Sequence, residues 1–184
     1  MKNKALFLDR DGVINVNHGY VYQQQNFDWV DGIFTLIKRA NRANYKVIVV
    51  TNQSGIGRGF YSELQFLALS DWMRHKVANK GGVIDDVFYC PHHPTESLGE
   101  YKLNCDCRKP KPGMLFAASQ KHDIDLSMSI MIGDKLSDIK AAEAANLATA
   151  YLFKGGKVNA NATNHPDRHF QSLSIQSFEQ VSFP

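Results

Sequence analysis

Ala5-Leu6-Phe7-Leu8 is an uninterrupted apolar run that stops abruptly at Asp9-Arg10-Asp11-Gly12. A strand that is apolar at consecutive residues is buried on both faces, the situation of a strand inside a parallel sheet covered by helices. This constrains the rest of the chain, because each parallel neighbour needs a long, usually helical, crossover. It also fixes where the acids lie, since open α/β folds build their sites beyond the carboxyl ends of the strands. Side chains alternate along an extended backbone, so Asp9 and Asp11 can address the same space. Taken alone, such a pair can equally serve a turn, or hold a metal and do nothing else.

The rest of the sequence supplies the alternation that a parallel sheet requires. Ile33, Leu36, Ile37 and Ala40 fall at helical spacing after Asp31-Gly32. Val47-Ile48-Val49-Val50 is a second apolar strand, ending in Thr51-Asn52-Gln53-Ser54-Gly55. A helix is predicted from about Ser62 to Val77, with Leu64, Leu67, Ala68, Trp72 and Met73 facing the core. A strand near Val87-Phe88-Tyr89 leads into a loop from Cys90 to Cys107, and a helix opens after Pro112-Gly113. Ser129-Ile132 is the next strand, ending at Gly133-Asp134, followed by a helix over 137–145 and a strand over 149–153. Residues 154–169 are polar and turn-rich and read as loop. The expected fold class is α/β: a Rossmann-like parallel sheet with helices on both faces, residues 1–184 forming one domain.

In that fold the strand ends at Asp9 and Asp11, Thr51, Cys90 and Asp134 share one edge of the sheet. Two acids, a Thr followed by small polar residues, a Lys and a later acid suit phosphoryl transfer. One carboxylate (Asp9) attacks phosphorus, and the other (Asp11) handles the proton of the leaving group and then of water. Magnesium suits an all-oxygen set of Asp9, the Asp11 main-chain carbonyl and Asp134. Thr51 and neighbouring amides address the phosphoryl oxygens, and Lys109 offsets the charge that spreads over them. Each piece has a plainer reading. Thr51 can cap a strand end, Lys109 can be a solvated charge, and Asp134, Ser137 or Asp138 can cap the next helix. Their joint order along the strand ends is what carries information.

Composition narrows the classes. A net charge of +3, dispersed along the chain, gives no polymer-binding stripe, so no nucleic-acid partner is expected. Arg108-Lys109-Pro110-Lys111 is short enough to serve a single phosphate. No apolar stretch approaches the roughly 20 residues that cross a bilayer, nor is there a signal-peptide core, so no membrane partner is expected and the cytoplasm is the expected compartment. Nothing points to an extended apolar surface, and a monomer is expected.

Asp9-x-Asp11-Gly-Val, Val50-Thr51-Asn52-Gln53, Lys109 and Gly133-Asp134-Lys135-x-x-Asp138 resemble the four motifs of the haloacid dehalogenase superfamily. The likeness goes further. Leu8-Asp9-Arg10-Asp11-Gly12, His18-Gly19-Tyr20-Val21, Thr51 to Gly59 and Cys105-x-Cys107-Arg108-Lys109-Pro110-x-Pro112-Gly113-Met114 are similar to the D-glycero-D-manno-heptose 1,7-bisphosphate 7-phosphatases. The resemblance implies removal of the 7-phosphate from a small phosphorylated sugar, in making the nucleotide-activated heptose of lipopolysaccharide and related glycans. It implies substrate contacts from Arg10, His18, Gly19, Tyr20, Asn52, Gln53, Ser54, Arg58, Arg108 and Lys135, with Arg108 on the second phosphate or nearby hydroxyls. By itself His18 reads as an ordinary loop histidine. Histidinol-phosphate phosphatases share the same motifs and are the second enzyme reading. A receiver-type signalling domain also combines Asp, Thr, Lys and magnesium, but lacks the Asp-x-Asp on its first strand.

All three cysteines lie in Cys90-Pro91-His92 and Cys105-Asp106-Cys107. Two short pairs offer four ligands, the number a tetrahedral structural zinc requires, while ordinary reduced thiols are the plain alternative. His93 can compete with His92, and the resemblance favours His92. A filled shell leaves no place for water, so such a zinc braces the loop carrying Arg108 and Lys109 and stands where relatives have a larger cap.

Overall fold

The computed structural model describes residues 2–155, 163–164 and 170–184, and the chain in it forms one seven-stranded sheet. In chain order the elements are β1 (Lys4–Leu8), α1 (Ile33–Arg42), β2 (Tyr45–Asn52), a short α2 (Ser54–Gly57), α3 (Glu63–Asn79) and β3 (Asp86–Cys90). There follow α4 (Gly113–His122), β4 (Ile130–Gly133), α5 (Leu136–Ala144), β5 (Thr149–Phe153), β6 (Thr163–Asn164) and β7 (Gln171–Ile175). The sheet order is β3-β2-β1-β4-β5-β7-β6. Every pairing is parallel except that of β6 with β7.

The pleat divides the core into two layers. From β1 and β2, Leu6, Leu8, Val47 and Val49 face a layer built with α1 and α3, which also receives Ile130, Ile132 and Tyr151. Ala5, Phe7, Ile48, Val50, Met131 and Ala150 face the opposite layer, under Met114, Leu115 and Ala118 of α4 and Ala141 and Ala142 of α5. Alternation along the apolar runs Ala5–Leu8 and Val47–Val50 thus buries both faces, as those runs predict.

α3 departs from expectation. Ser62 caps it with a reciprocal pair: its Oγ accepts from Gln65 N (3.2 Å), and Gln65 Oε1 accepts from Ser62 N (2.8 Å). The buried stripe is Phe66, Leu69, Ser70, Met73 and Val77. Leu64 (78% exposed), Leu67 and Ala68 face outward, and of the predicted set only Met73 is fully buried, with Trp72 half-buried. The helix carries apolar residues around most of its circumference, and docking on β2 and β3 selects one stripe.

The sheet also extends beyond the five predicted strands. β7 pairs with β5 (Tyr151↔Leu173), and Thr163–Asn164, inside the stretch read as loop, pair antiparallel with β7. The remainder of that stretch beyond Gly155, including His165 and His169, lies outside the described residues. β7 is mostly Gln and Ser, and its Leu173 and Ile175 face only one core layer, so it carries no apolar run. Beyond it Phe178 stacks on Phe153 at 4.4 Å, and Arg39 of α1 donates to the carbonyls of Phe178 and Val181, which fastens the C-terminal segment to the body. No helix among the described residues is long and apolar enough to cross a membrane.

The strand order reverses between β1 and β4: from β1 the chain builds outward through β2 and β3, then returns to the other side. A crevice at such a reversal is where open α/β sheets bind ligands. Asp9 stands there, its N–H continuing the ladder to Ile132 O at 3.0 Å.

Candidate active site

Asp9, the first residue past β1, is 5% exposed, and its Oδ1 lies 2.9 Å from Lys109 Nζ while accepting from Arg10 N at 2.8 Å. Lys109 is 4% exposed, and its ammonium also meets Asp138 Oδ1 at 2.6 Å and donates to Val50 O at 2.7 Å. Burial pushes the Asp9 carboxyl up to about 7, against the pull of Lys109 and with the help of the Asp138 and Asp11 charges. Burial draws Lys109 down, but Asp9 and Asp138 outweigh it and hold its ammonium above the ordinary lysine value. The result is a cation fixed against a carboxylate whose negative charge is poorly solvated.

Asp11 is held by three donors. Its Oδ1 accepts from Arg10 Nη2 (2.9 Å) and Asn15 Nδ2 (3.0 Å), and its Oδ2 from the same Nη2 (2.9 Å) and Gln53 Nε2 (2.9 Å). Gln53 also donates to Thr51 Oγ1 (2.9 Å) and accepts from Tyr61 Oη (2.5 Å). Asn52 clamps the Lys109 main chain at both ends, accepting from its N (3.1 Å) and donating to its O (3.0 Å).

Asp134 follows β4 and meets Gly12, whose φ of +99° and missing Cβ let the two loops touch. A Cβ there would fall 2.3 Å from Asp134 Oδ2. Asp134 Oδ1 is buried with no hydrogen-bond partner, and burial raises its carboxyl above the usual range. Asp9 and Asp134 place carboxylate oxygens within 4.8 Å of each other. Two converging acids, one with an orphaned oxygen, fit a hard divalent cation. Asp138 lies in the same cluster, but its Oδ1 is on Lys109 and its Oδ2 accepts from Lys135 N, which leaves it an ion-pair partner and helix cap.

A cleft of about 500 Å³ is lined by Asp9, Asp11, Thr51, Lys109, Gly19, Tyr20, Asn52, Gln53, Ser54, Arg108 and Lys135, while Asp134 lines a neighbouring hollow with Gly12. Three predicted substrate contacts are not among the residues lining the cleft. Arg10 is 1% exposed and turned under Asp11, because its guanidinium finds acceptors only on the protein side. His18 pairs with Asp28 on the surface at 2.7 Å. Arg58 pairs with Glu96 and lies over the Tyr20 ring at 5.6 Å, outside the cleft. Asn52 and Gln53 do line it, yet their amides are engaged with Lys109, Asp11 and Thr51. Asp138, Asn15 and Tyr61 were missed as site residues. For Asp138 there is a signal, since it shares the buried stripe of α5 with Ala141 and Ala142, where an acid needs a partner.

The cysteine loop forms a second cluster. Cys90 Sγ lies 3.4 Å from Cys105 Sγ and 2.9 Å from Cys107 Sγ, which is 3.3 Å from both Cys105 Sγ and His92 Nδ1. A zinc ion with about 2.3 Å bonds to sulfur needs ligands roughly 3.8 Å apart, so a slight expansion of this set accommodates one. His93 is turned away, its Nδ1 accepting from Glu96 N at 3.2 Å. The hydrogen bond shared with Cys90, opposed by burial and aided by His92, lowers the Cys107 thiol to about 5, and the same bond and burial push Cys90 up. The loop is tied to the cleft. Arg108 Nη1 donates to His92 O (3.1 Å), Leu98 N to Gly57 O (2.7 Å), and Gly113 N to Asp106 O (3.0 Å).

A family model described as HAD-hydrolase-like matches residues 106–175. The D-glycero-beta-D-manno-heptose-1,7-bisphosphate 7-phosphatase of Vibrio cholerae is 48% identical over 157 residues, 85% of this chain and 84% of the relative. The corresponding alpha-heptose enzyme of Burkholderia mallei is 52% identical over 152 residues, 83% of this chain and 80% of that one. Among solved structures, the D,D-heptose 1,7-bisphosphate phosphatase of B. bronchiseptica, complexed with magnesium and phosphate, superposes with a TM-score of 0.72. It shares 36% identity over 82% of this chain and 80% of its own. Likeness at this level, over nearly the whole chain, places it in a family: the chain belongs to the haloacid dehalogenase-like hydrolases, on the branch of the heptose bisphosphate phosphatases.

Proposed function

We propose that this chain, as one domain, is a magnesium-dependent phosphatase that removes the 7-phosphate of D-glycero-D-manno-heptose 1,7-bisphosphate. The observation that carries the reading is the buried Asp9 held 2.9 Å from Lys109, with Asp11 beside it and Arg108 on the same cleft wall. Asp9 attacks phosphorus as the sugar oxygen leaves and takes a proton from Asp11. Water then attacks the aspartyl phosphate while Asp11 recovers a proton from it, which releases phosphate and restores Asp9. Asp9, the Asp11 main-chain carbonyl and Asp134 are the residues that would hold magnesium, whose charge supports the phosphoryl oxygens when bound. Lys109 neutralises charge from a fixed position, and Thr51 faces the same oxygens. Arg108 and Lys135 are offered to the second phosphate and hydroxyls, with Gly19, Tyr20 and Ser54 along the sugar.

Zinc is the ion assigned to Cys90, His92, Cys105 and Cys107, in a structural role supported by the closed donor set. The proposed setting is the cytoplasm, a reducing compartment that suits three unlinked cysteines, with the enzyme acting as a monomer in the supply of activated heptose for cell-surface glycans. The test is phosphate release with magnesium from the α- and β-anomers of the bisphosphate and from histidinol phosphate. Loss of the 7-phosphate from either anomer, well above histidinol phosphate, is expected. Preference for histidinol phosphate would overturn the substrate.

A further inference from the structure

Arg10 lies between the two catalytic acids in sequence, yet it does not line the cleft. Asp9 and Asp11 line the cleft, and Arg10, at the bend between them whose carbonyl accepts from Val13, Ile14 and Asn15 N, is turned beneath the Asp11 carboxyl. Its side chain is 1% exposed, with its guanidinium 5.6 Å from the ring centre of Phe66 of α3. Among the described residues one amino group, Nη2, does all of its polar work: one N–H donates to Val21 O at 2.6 Å, and the other is shared between Asp11 Oδ1 and Oδ2, each at 2.9 Å. Nε and Nη1 are buried without a partner. A buried cation with unmet donors is costly. Here it is retained at the one place where it touches both oxygens of Asp11.

We propose that Arg10 is a positioning residue for proton transfer: it sets the plane of the Asp11 carboxyl so that one oxygen can reach the leaving group. This rests on the reading of Asp11 as the proton donor. Asn15 and Gln53 each hold one oxygen through a neutral amide, so Arg10 supplies the one charged donor and the one contact common to both oxygens. Arg10 spans both, and it is anchored from behind by Val21, just beyond Gly19 and Tyr20 of the cleft wall. Each Asp11 oxygen accepts one amide N–H and a share of the Arg10 N–H, so the oxygen that delivers the proton must turn out of this set toward the substrate. Arg10 then keeps its hold on the other oxygen and fixes the direction of the turn.

The test separates leaving groups. Wild type, Arg10→Met, Arg10→Lys, Asp11→Asn and the Arg10→Met/Asp11→Asn double variant are assayed on the sugar bisphosphate and on an aryl phosphate whose phenolate departs without a proton. A misdirected general acid costs roughly 100-fold in kcat. Arg10→Met should lose about that on the sugar ester at nearly unchanged KM, and less than about threefold on the aryl ester, with Arg10→Lys intermediate. In the Asp11→Asn background the Arg10 change should add nothing. Magnesium-induced thermal stabilisation in each variant shows that fold and metal site persist, and Arg10→Lys carries the test should Arg10→Met not fold. Equal losses on both esters, or a loss confined to KM, would overturn the inference alone. An Asp11→Asn enzyme that shows no leaving-group dependence would overturn the underlying reading, and the role of Arg10 with it.

Discussion

Gly12→Ala is the most informative single change at the proposed magnesium site. The new Cβ would lie 2.3 Å from Asp134 Oδ2 and 2.5 Å from its Cγ, on a backbone at φ +99°. Ordinary contact begins near 3.4 Å, so the Asp134 carboxylate must retreat by about 1 Å. The left-handed backbone adds roughly 1–2 kcal/mol of strain, or about 2–8 °C in Tm for a chain of this size. Magnesium demands oxygen ligands in near-ideal geometry at about 2.0–2.1 Å, which a displacement of that size removes. Since disturbing even the partners of a ligand costs about 10–100-fold in metal affinity, at least that loss is expected here. Isothermal titration with magnesium, and the magnesium dependence of phosphate release, read it directly. Gly59→Ala is the control, because Gly59 has φ +76° with nothing within 4 Å of its Cβ position. It should carry the strain and keep the metal. A Gly12→Ala protein with wild-type magnesium affinity, or a Gly59→Ala protein equally impaired, would refute the reasoning.

Other changes test other parts of the molecule. Asp9 binds its proton more tightly folded than unfolded, so its contribution to stability is full below the unfolded value of 3.8 and is lost as pH rises through about 7. Metal-free wild type should therefore lose thermal stability from pH 5 to 8 relative to Asp9→Asn, and magnesium affinity should rise over the same range; a pH-independent difference would contradict the burial argument. Stripping the cysteine cluster with a chelator, or Cys107→Ser, frees Arg108 from His92 O. Because a hydrogen bond to a charged group is worth about 1.5–3 kcal/mol, the KM for the bisphosphate should rise roughly tenfold or more, with kcat less affected. On α3, Phe66→Ala should cost about 3–5 kcal/mol in urea unfolding, whereas Leu64→Ser should stay within about 0.5 kcal/mol, the reverse of what the sequence pattern suggests.

What sequence can show is divided by range. β1 and β2 are legible because a run buried on both faces needs no knowledge of its neighbours, and Asp9, Asp11 and Thr51 inherit their places from those strands. The cysteine cluster is legible because its ligand types are scarce and gathered in one loop. Arg10, Arg58 and His18 stand outside the cleft lining for one reason: a long polar side chain beside a site can turn either way, and the nearest acceptor decides. For Arg10 that acceptor is Val21 O, for Arg58 Glu96, and for His18 Asp28. α3 offers two apolar stripes, and only the sheet beneath it chooses between them. β7, built from Gln and Ser around Leu173 and Ile175, is recruited by the free edge of β5 rather than by an apolar run of its own.

The cysteine-loop wall also bears on the tempo of turnover. Enzymes that close a lid over substrate are often limited by its reopening, on a microsecond to millisecond scale. Here the wall is joined to the phosphate side by Leu98 N to Gly57 O and by Arg58 to Glu96, and is folded on itself around four converging ligands. Entry and exit along it need not wait on a hinge. On the proposed reading, discrimination then resides in where stationary charges stand: a molecule reaching from the Lys109–Asp9 pair to Arg108 meets both at first contact, and a shorter one meets only the first.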